Sequence, residues 1–464
     1  MLALIFDTDL KPWDAAIRHA AQVVLDELWE EITCLPRDAF NELSDEERGR
    51  FKAIISYTNQ APEGAPQTPV IHLRPSGFFG PEYGQGVVPD ASGLALLNGT
   101  PVLYGDDAVE QSTRGISTGA DLLASTYFLT TRFEELLRPD VRDNHGRFPG
   151  SESLPARAGF IHRPIVDEYA AQIRAWLQAL GVALPARKRR FKLLLTHDVD
   201  LLGRYRLPFE PFRTLGSALL GRQSVKTAVE CLAVHLGRRQ DPMDTFDEMM
   251  ALDGQVEAEV YYFFMAGGSS QWDGWYRIGW RRTKRLLRKL MDSGATIGLH
   301  ASYEAGARPT SIADEKAALE RACGCEIRHN RHHFLGWREM QDGHALAAAG
   351  INWDSTLGYA EVAGFRLGVC RPIPLFDPVE LRPLGIEEHP LVLMECSLDQ
   401  PHYMGLDLPG AEAYALGLLR ETRKYGGEYV VLWHNSSFEK AEDNYLPALY
   451  RRLIDHLRAG EEAV

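Results

Sequence analysis

The sequence predicts an α/β fold, with a parallel sheet or barrel over residues 191–464 and an N-terminal α/β domain over 1–185. Three observations predict it. Short apolar runs recur through the second half, at 193–195, 260–265, 296–299, 391–394 and 429–432, and runs of this length read as parallel strands buried on both faces. Helix-like stretches separate them, one of them a crossover over 281–291 ended by Asp292-Ser293-Gly294, which implies βαβ units. With 464 residues, 45% hydrophobic and 25% charged, the chain has an ordinary globular composition and length enough for two domains.

In the first half, residues 61–110 carry Pro62, Gly64, Pro66, Pro69, Pro75, Gly77, Gly80 and Pro81, which predicts strands and turns rather than long helices. Thr118-Gly119-Ala120-Asp121 offers an acceptor and an acid at capping-box spacing before an apolar run over 122–137, so a helix is expected to start there. Gly115-Ile116-Ser117-Thr118-Gly119 also fits a nucleophile elbow, but 107–112 before it is no buried strand, and helix entry is the better reading. A second helix is expected over 165–180, stopped by Gly181. The basic stretch 185–190 then reads as a connector and sets the domain boundary.

The net charge of −14, from 50 Lys+Arg against 64 Asp+Glu, argues against a partner held by bulk electrostatics, so nucleic acid and anionic membranes are not expected. The start, Met1 to Asp7, has no basic segment and is interrupted by Asp7 and Asp9, so no secretory signal is expected. No uncharged apolar run reaches about 18 residues, so no transmembrane segment is expected either. A cytoplasmic location follows. The six cysteines are too few and scattered for a disulfide framework.

In parallel α/β folds the chemistry sits where strands end. After 193–195 comes Thr196-His197-Asp198-Val199-Asp200, after 296–299 comes His300-Ala301-Ser302-Tyr303-Glu304, and after 429–432 comes Trp433-His434-Asn435-Ser436. In extended chain, residues i and i+2 point the same way, so Asp198 and Asp200 can share a site. One carboxylate can hold a divalent metal while the other takes a proton from water, and histidine completes such donor sets. Singly, an Asp-x-Asp can cap a turn and a buried His can be hydrogen-bonded core. Three such strand ends together point to a metal site.

These motifs resemble those of the polysaccharide deacetylase superfamily, carbohydrate esterase family 4 and its relatives, over roughly residues 191–440. The resemblance implies a distorted (β/α)7-type barrel and a divalent metal, zinc being the usual ion for such ligands. It also implies metal-dependent removal of an N-acyl group, N-acetyl above all, from an amino sugar of a glycan or glycan precursor. Asp198 takes the general-base position, Asp200 and His300 are metal ligands, and His434 is the general acid. Arg331, in Arg331-His332-His333-Phe334, sits where the family places an Arg orienting the base. Asn352-Trp353-Asp354-Ser355-Thr356-Leu357-Gly358-Tyr359 resembles a further site segment. Ser302 and Tyr359 are carried over as substrate-contacting positions. The first half resembles an uncharacterised domain that precedes such domains, on Arg147-Phe148-Pro149-Gly150-Ser151-Glu152-Ser153 and Arg163-Pro164-Ile165-Val166-Asp167-Glu168-Tyr169.

One departure bears on the metal. The family's second motif usually ends in a further His four residues after the first, and here that position is Glu304, so the third ligand is either Glu304 or His333. The expected substrates are a nucleotide sugar, an oligosaccharide or a lipid-linked glycan. Trp272, Trp275, Tyr276 and Trp280 lie in a loop at the face expected to hold the site and suit either stacking on a sugar ring or packing onto the barrel. Arg204 and Arg206 read as solvated surface or as an anion contact. Cys323-Gly324-Cys325 lacks the spacing and second pair of a metal cluster. The alternatives to sugar deacetylation are hydrolysis of another non-peptide C–N bond on the same fold, or a catalytically silent glycan-binding or assembly protein.

Overall fold

The apolar start of the chain forms strand β1 (Leu2–Phe6), wholly buried in the middle of a first sheet. Around it lie β2 (Ile32–Pro36), β3 (Ile54–Tyr57) and β4 (Val70–Leu73), a small hairpin of β5 (Ala95–Leu97) and β6 (Thr100–Val102), then β7 (Gly105–Gln111) and β8 (Gly115–Ala120). The sheet runs β2-β1-β3-β4-β8-β7 and is parallel except for the exposed edge strand β7. In the computed structural model all residues are described except 61–67, 84–87, 187–188, 206–208, 274–275, 440–442 and 462–464. Pro62, Gly64, Pro66, Arg206 and Trp275 therefore lie outside the described residues.

Two readings of the first half are corrected. Gly115–Ala120 is a strand and not a helix entry: the cap of the following helix is Asp121, whose Oδ1 accepts the Ala124 amide at 2.9 Å. The apolar run 122–137 is two helices, Leu122–Thr130 and Phe133–Leu137, broken where Arg132 takes a φ of 55°. The helix Ile165–Ala179 forms where its periodicity placed it, and Gly181 with φ 80° turns the chain out of it.

The second half forms a nine-stranded sheet from β9 (Lys192–Val199), β10 (Glu259–Phe264), β11 (Thr296–Ala301), β12 (His329–His332), β13 (Trp353–Asp354), β14 (Ile373–Asp377), β15 (Arg382–Glu388), β16 (Leu393–Met394) and β17 (Glu428–Leu432). Its order is β14-β15-β13-β12-β11-β10-β9-β17-β16, and every neighbouring pair is parallel except β14 with β15. The sheet is an open, curled half-barrel. Alternation along β9 sends Leu193, Leu195 and Val199 outward into the main core, while Leu194 faces the concave interior with Tyr261, Phe263, Trp353, Val430 and Leu432. That apolar cluster is the floor on which the polar residues at the strand ends stand.

The two halves share one core. His19 stacks on Phe376 at 4.5 Å, and the Val166 amide bonds the Gly368 carbonyl at 2.9 Å. Buried ion pairs cross between them, among them Arg132 with Glu339 at 2.6 Å, Glu135 with Arg366 at 2.7 Å and Asp167 with Arg371 at 2.7 Å, all less than a tenth exposed. Removal of the first half would open this shared apolar core to water and leave Glu339, Arg366 and Arg371 without their partners. A chain starting at Phe191 is therefore expected to aggregate or to lack fixed tertiary packing. Gel filtration and near-UV circular dichroism check this, and a folded monomer would contradict it.

Candidate metal centre

On β9 the inward positions above the floor are Thr196 and Asp198, and Asp200 follows at the strand end. His197, facing outward, is structural: Nδ1 lies 2.9 Å from the Trp433 carbonyl and Nε2 3.1 Å from Asp253. On β11 the inward residue is His300, paired in register with Arg331 of β12. Gly298, two residues earlier, leaves room for the Phe263 ring, which a Cβ there would meet at 2.5 Å. His333 comes just after β12, where Phe334 and Leu335 take φ values of 61° and 53°, uncommon for non-glycine residues. That turn reverses the chain and aims the His333 ring inward. Arg147 of the first half holds it, Nη1 donating to the Phe334 carbonyl at 2.9 Å.

Asp200, His300 and His333 each offer a donor atom within 4.8 Å of the others. His300 Nε2 and His333 Nε2 lie 3.3 and 3.6 Å from Asp200 Oδ1. Their other nitrogens are occupied: His300 Nδ1 faces the Arg331 carbonyl at 2.8 Å and His333 Nδ1 faces Asp273 at 3.5 Å. With Nδ1–H donating, each Nε2 presents a lone pair to the cluster, the tautomer a metal requires. His300 Nε2 and Asp200 Oδ1 are buried atoms without a hydrogen-bond partner, a costly state for polar groups unless a ligand meets them. Two imidazoles and a carboxylate fit a divalent cation such as zinc.

Asp198 and Arg331 form one flank. Arg331, fully buried, donates to Asp198 Oδ1 at 3.2 Å and Thr196 Oγ1 at 2.6 Å from Nη1, and to the carbonyl and hydroxyl of Ser355, both at 2.8 Å. The segment around Ser355 thus serves as a clamp on Arg331. Asp198 Oδ2 is left toward the cluster, 3.7 Å from His300 Nε2.

His434 forms the other flank, Nε2 lying 3.7 Å from Asp200 Oδ2 and Nδ1 2.7 Å from Glu395 Oε1. Burial works against a charge on this ring, but the Glu395 carboxylate overrides it and holds the pKa well above the usual histidine value. Burial alone would raise the pKa of Asp200, yet the surrounding imidazoles, His333 foremost, pull it below the carboxylate range. Asp200 and His434 keep 27% and 15% of their side-chain surface, so the cluster opens to solvent on this side.

Other predicted residues are placed elsewhere. Glu304 points away from the cluster: Oε2 accepts the Ser269 amide at 2.5 Å and hydroxyl at 2.6 Å, and Oε1 pairs with Arg308. Ser302 caps the helix Tyr303–Ala307, donating to Glu315 at 2.6 Å and accepting from the Ala305 amide at 3.0 Å. Tyr359 is buried against Phe148 and Ile161 with the Arg366 guanidinium 4.8 Å over its ring. Tyr276 is core, its hydroxyl bonded to the Val199 carbonyl. Arg204 pairs with Glu439. Trp272, 39% exposed, packs against His145 and Phe334 beside a cavity of about 320 Å³ that His145, Ser270, Tyr303, His333 and Trp337 line.

Sequence reasoning missed Glu395, Asp273, Arg147 and His145. Glu395 directly follows Met394, so the end of that apolar run carries the signal that would find it. Asp273 adjoins Trp272 in a loop already singled out. Arg147, which opens a segment on which the first half resembles an uncharacterised domain, and His145 reach the site only through the fold.

Residues 16–181 match a family of unknown function, DUF7033. No curated protein matches the chain. A crystal structure from Mycobacterium smegmatis, described as a "putative polysaccharide deacetylase", is similar with a TM-score of 0.38 and 18% identity, over 60% of this chain and 87% of that one.

Proposed function

We propose that the chain is a metal-dependent hydrolase that removes an N-acyl group, N-acetyl in the first instance, from an amino sugar of a glycan or glycan precursor. The observation that carries this reading is the arrangement of one acid and one base on opposite flanks of the Asp200, His300 and His333 donors. These three residues would hold the cation, and Glu304 would not. A divalent cation there supplies Lewis acidity, polarising the amide carbonyl and easing the deprotonation of water. Asp198, fixed through Oδ1 by Arg331, presents Oδ2 to take the proton of the attacking water. His434, kept protonated by Glu395, donates a proton from Nε2 to the departing amine, without which an amide nitrogen is a poor leaving group. Arg331 and Ser355 orient the base, while Glu395 and Ser437, whose hydroxyl reaches Glu395 at 2.6 Å, orient the acid.

The direct test is an acetate-release screen of the metal-loaded protein over N-acetylated sugars, nucleotide sugars, oligosaccharides and lipid-linked glycans. Metal-dependent acetate release from at least one is expected. Release from none, with metal bound, would count against the reading.

A further inference from the structure

Between β9 and the helix Phe246–Asp253 the chain leaves the barrel as two helices, Glu210–Leu219 and Val225–His235, packed on each other. Their amphipathicity is inverted. Small or polar residues, Thr214, Ala228 and Cys231, are buried, while the large apolar ones face outward. Phe209, Phe212, Leu215 and Leu219 follow one helical face, and Val225, Val229, Leu232 and Leu236 another. Phe212 and Leu219 are 77% and 81% exposed, and none of the eight is below 49%. An apolar surface of this extent marks a contact with a partner or a membrane.

The charge of the hairpin selects between the two. Arg213, Arg222, Lys226, Arg238 and Arg239 stand against Glu210 and Glu230 between 209 and 239, a local excess of positive charge in a chain of net −14. All five basic residues are exposed. A second copy would bring this positive face against its like, whereas an anionic lipid surface complements both the charge and the apolar side chains. The hairpin is also anchored at the metal centre. Asp241 accepts the amides of Arg204 and Tyr205 at 2.8 and 2.9 Å, and Asn435, next to His434, donates to the carbonyls of Leu201 and Met243 at 3.0 and 2.8 Å.

We propose that this hairpin docks the protein on an anionic membrane surface, with Phe212, Leu219 and Val229 entering the headgroup region and Arg222 and Lys226 meeting lipid phosphates. Docking needs no turnover; only the corollary that the substrate is lipid-linked rests on the hydrolase reading.

The experiment is flotation of the full chain with phosphatidylglycerol vesicles and with phosphatidylcholine vesicles, with and without a chelator. Binding to the first and about tenfold or more weaker binding to the second is expected. The triple variant Phe212→Asp, Leu219→Asp, Val229→Asp should lose binding with an unchanged circular dichroism spectrum, since these side chains are mostly exposed. Arg222→Glu with Lys226→Glu should weaken it by about thirtyfold or more. No binding to phosphatidylglycerol, equal binding to both lipids, or binding untouched by the triple variant would overturn the proposal. So would a stable dimer that the triple variant abolishes. Because the chelated protein should bind as well as the metal-loaded one, failure of docking and failure of hydrolysis are read separately.

Discussion

Replacing Asp200 or His300 with alanine is expected to abolish metal binding and hydrolysis together. Each replacement removes a donor atom from a set of three, and a neighbouring water is a weaker ligand than either a carboxylate or an imidazole. The loss in metal affinity should exceed the roughly 10–100-fold that follows removal of an outer hydrogen-bond partner. Elemental analysis of purified variants measures it. His333→Ala should behave like His300→Ala, because its Nε2 faces Asp200 at 3.6 Å. Glu304→Ala should retain metal, because its carboxylate is held by Ser269 and Arg308. Full metal content in Asp200→Ala and His300→Ala, or loss of metal in Glu304→Ala, would remove the assignment of ligands.

Asp198→Asn should separate chemistry from metal binding. The amide keeps the size of the side chain but cannot accept a proton, and assistance by a general base is worth about 10²–10⁴ in rate. Metal content should stay near wild type while kcat falls by that order. The acid is tested by pH dependence. In the proposed mechanism His434 must be protonated to act, and Glu395 holds its pKa well above the usual histidine value. Glu395→Gln withdraws the negative charge and lowers that pKa, so the alkaline limb of the kcat profile should move to lower pH. An unmoved limb, or near-normal turnover in Asp198→Asn, would place the acid and base elsewhere.

Much of this centre was legible because parallel strands buried on both faces write themselves as apolar runs, and their ends can be searched for polar residues. Asp198, Asp200, His300 and His434 all emerge from that rule. β12 and β13 were not legible as strands, because they are short and largely polar: His-Asn-Arg-His and Trp-Asp have no apolar run. The nine-stranded open sheet was not legible either, since strand order and closure depend on pairings between distant segments. The helix break at Arg132 carries no Gly or Pro to announce it, although the residue takes a φ of 55°. The net charge of −14 is a whole-chain sum and does not display the local excess of positive charge at 209–239.

The pairing of β9 has a consequence for synthesis of the chain. The strand that carries both carboxylates lies between β10 and β17, and the Thr196 hydroxyl bonds the carbonyl of Val431, 235 residues later. At a translation rate of about 5–20 residues per second, one edge of β9 waits roughly 10–50 s for its partner. During that interval an apolar strand with unpaired backbone groups faces the cell, the arrangement most prone to wrong pairing with another chain. The helix Phe246–Asp253, whose Asp253 meets His197 on the outward face of β9 at 3.1 Å, is made within that interval, so this face is covered by its own half of the chain long before the open edge is paired.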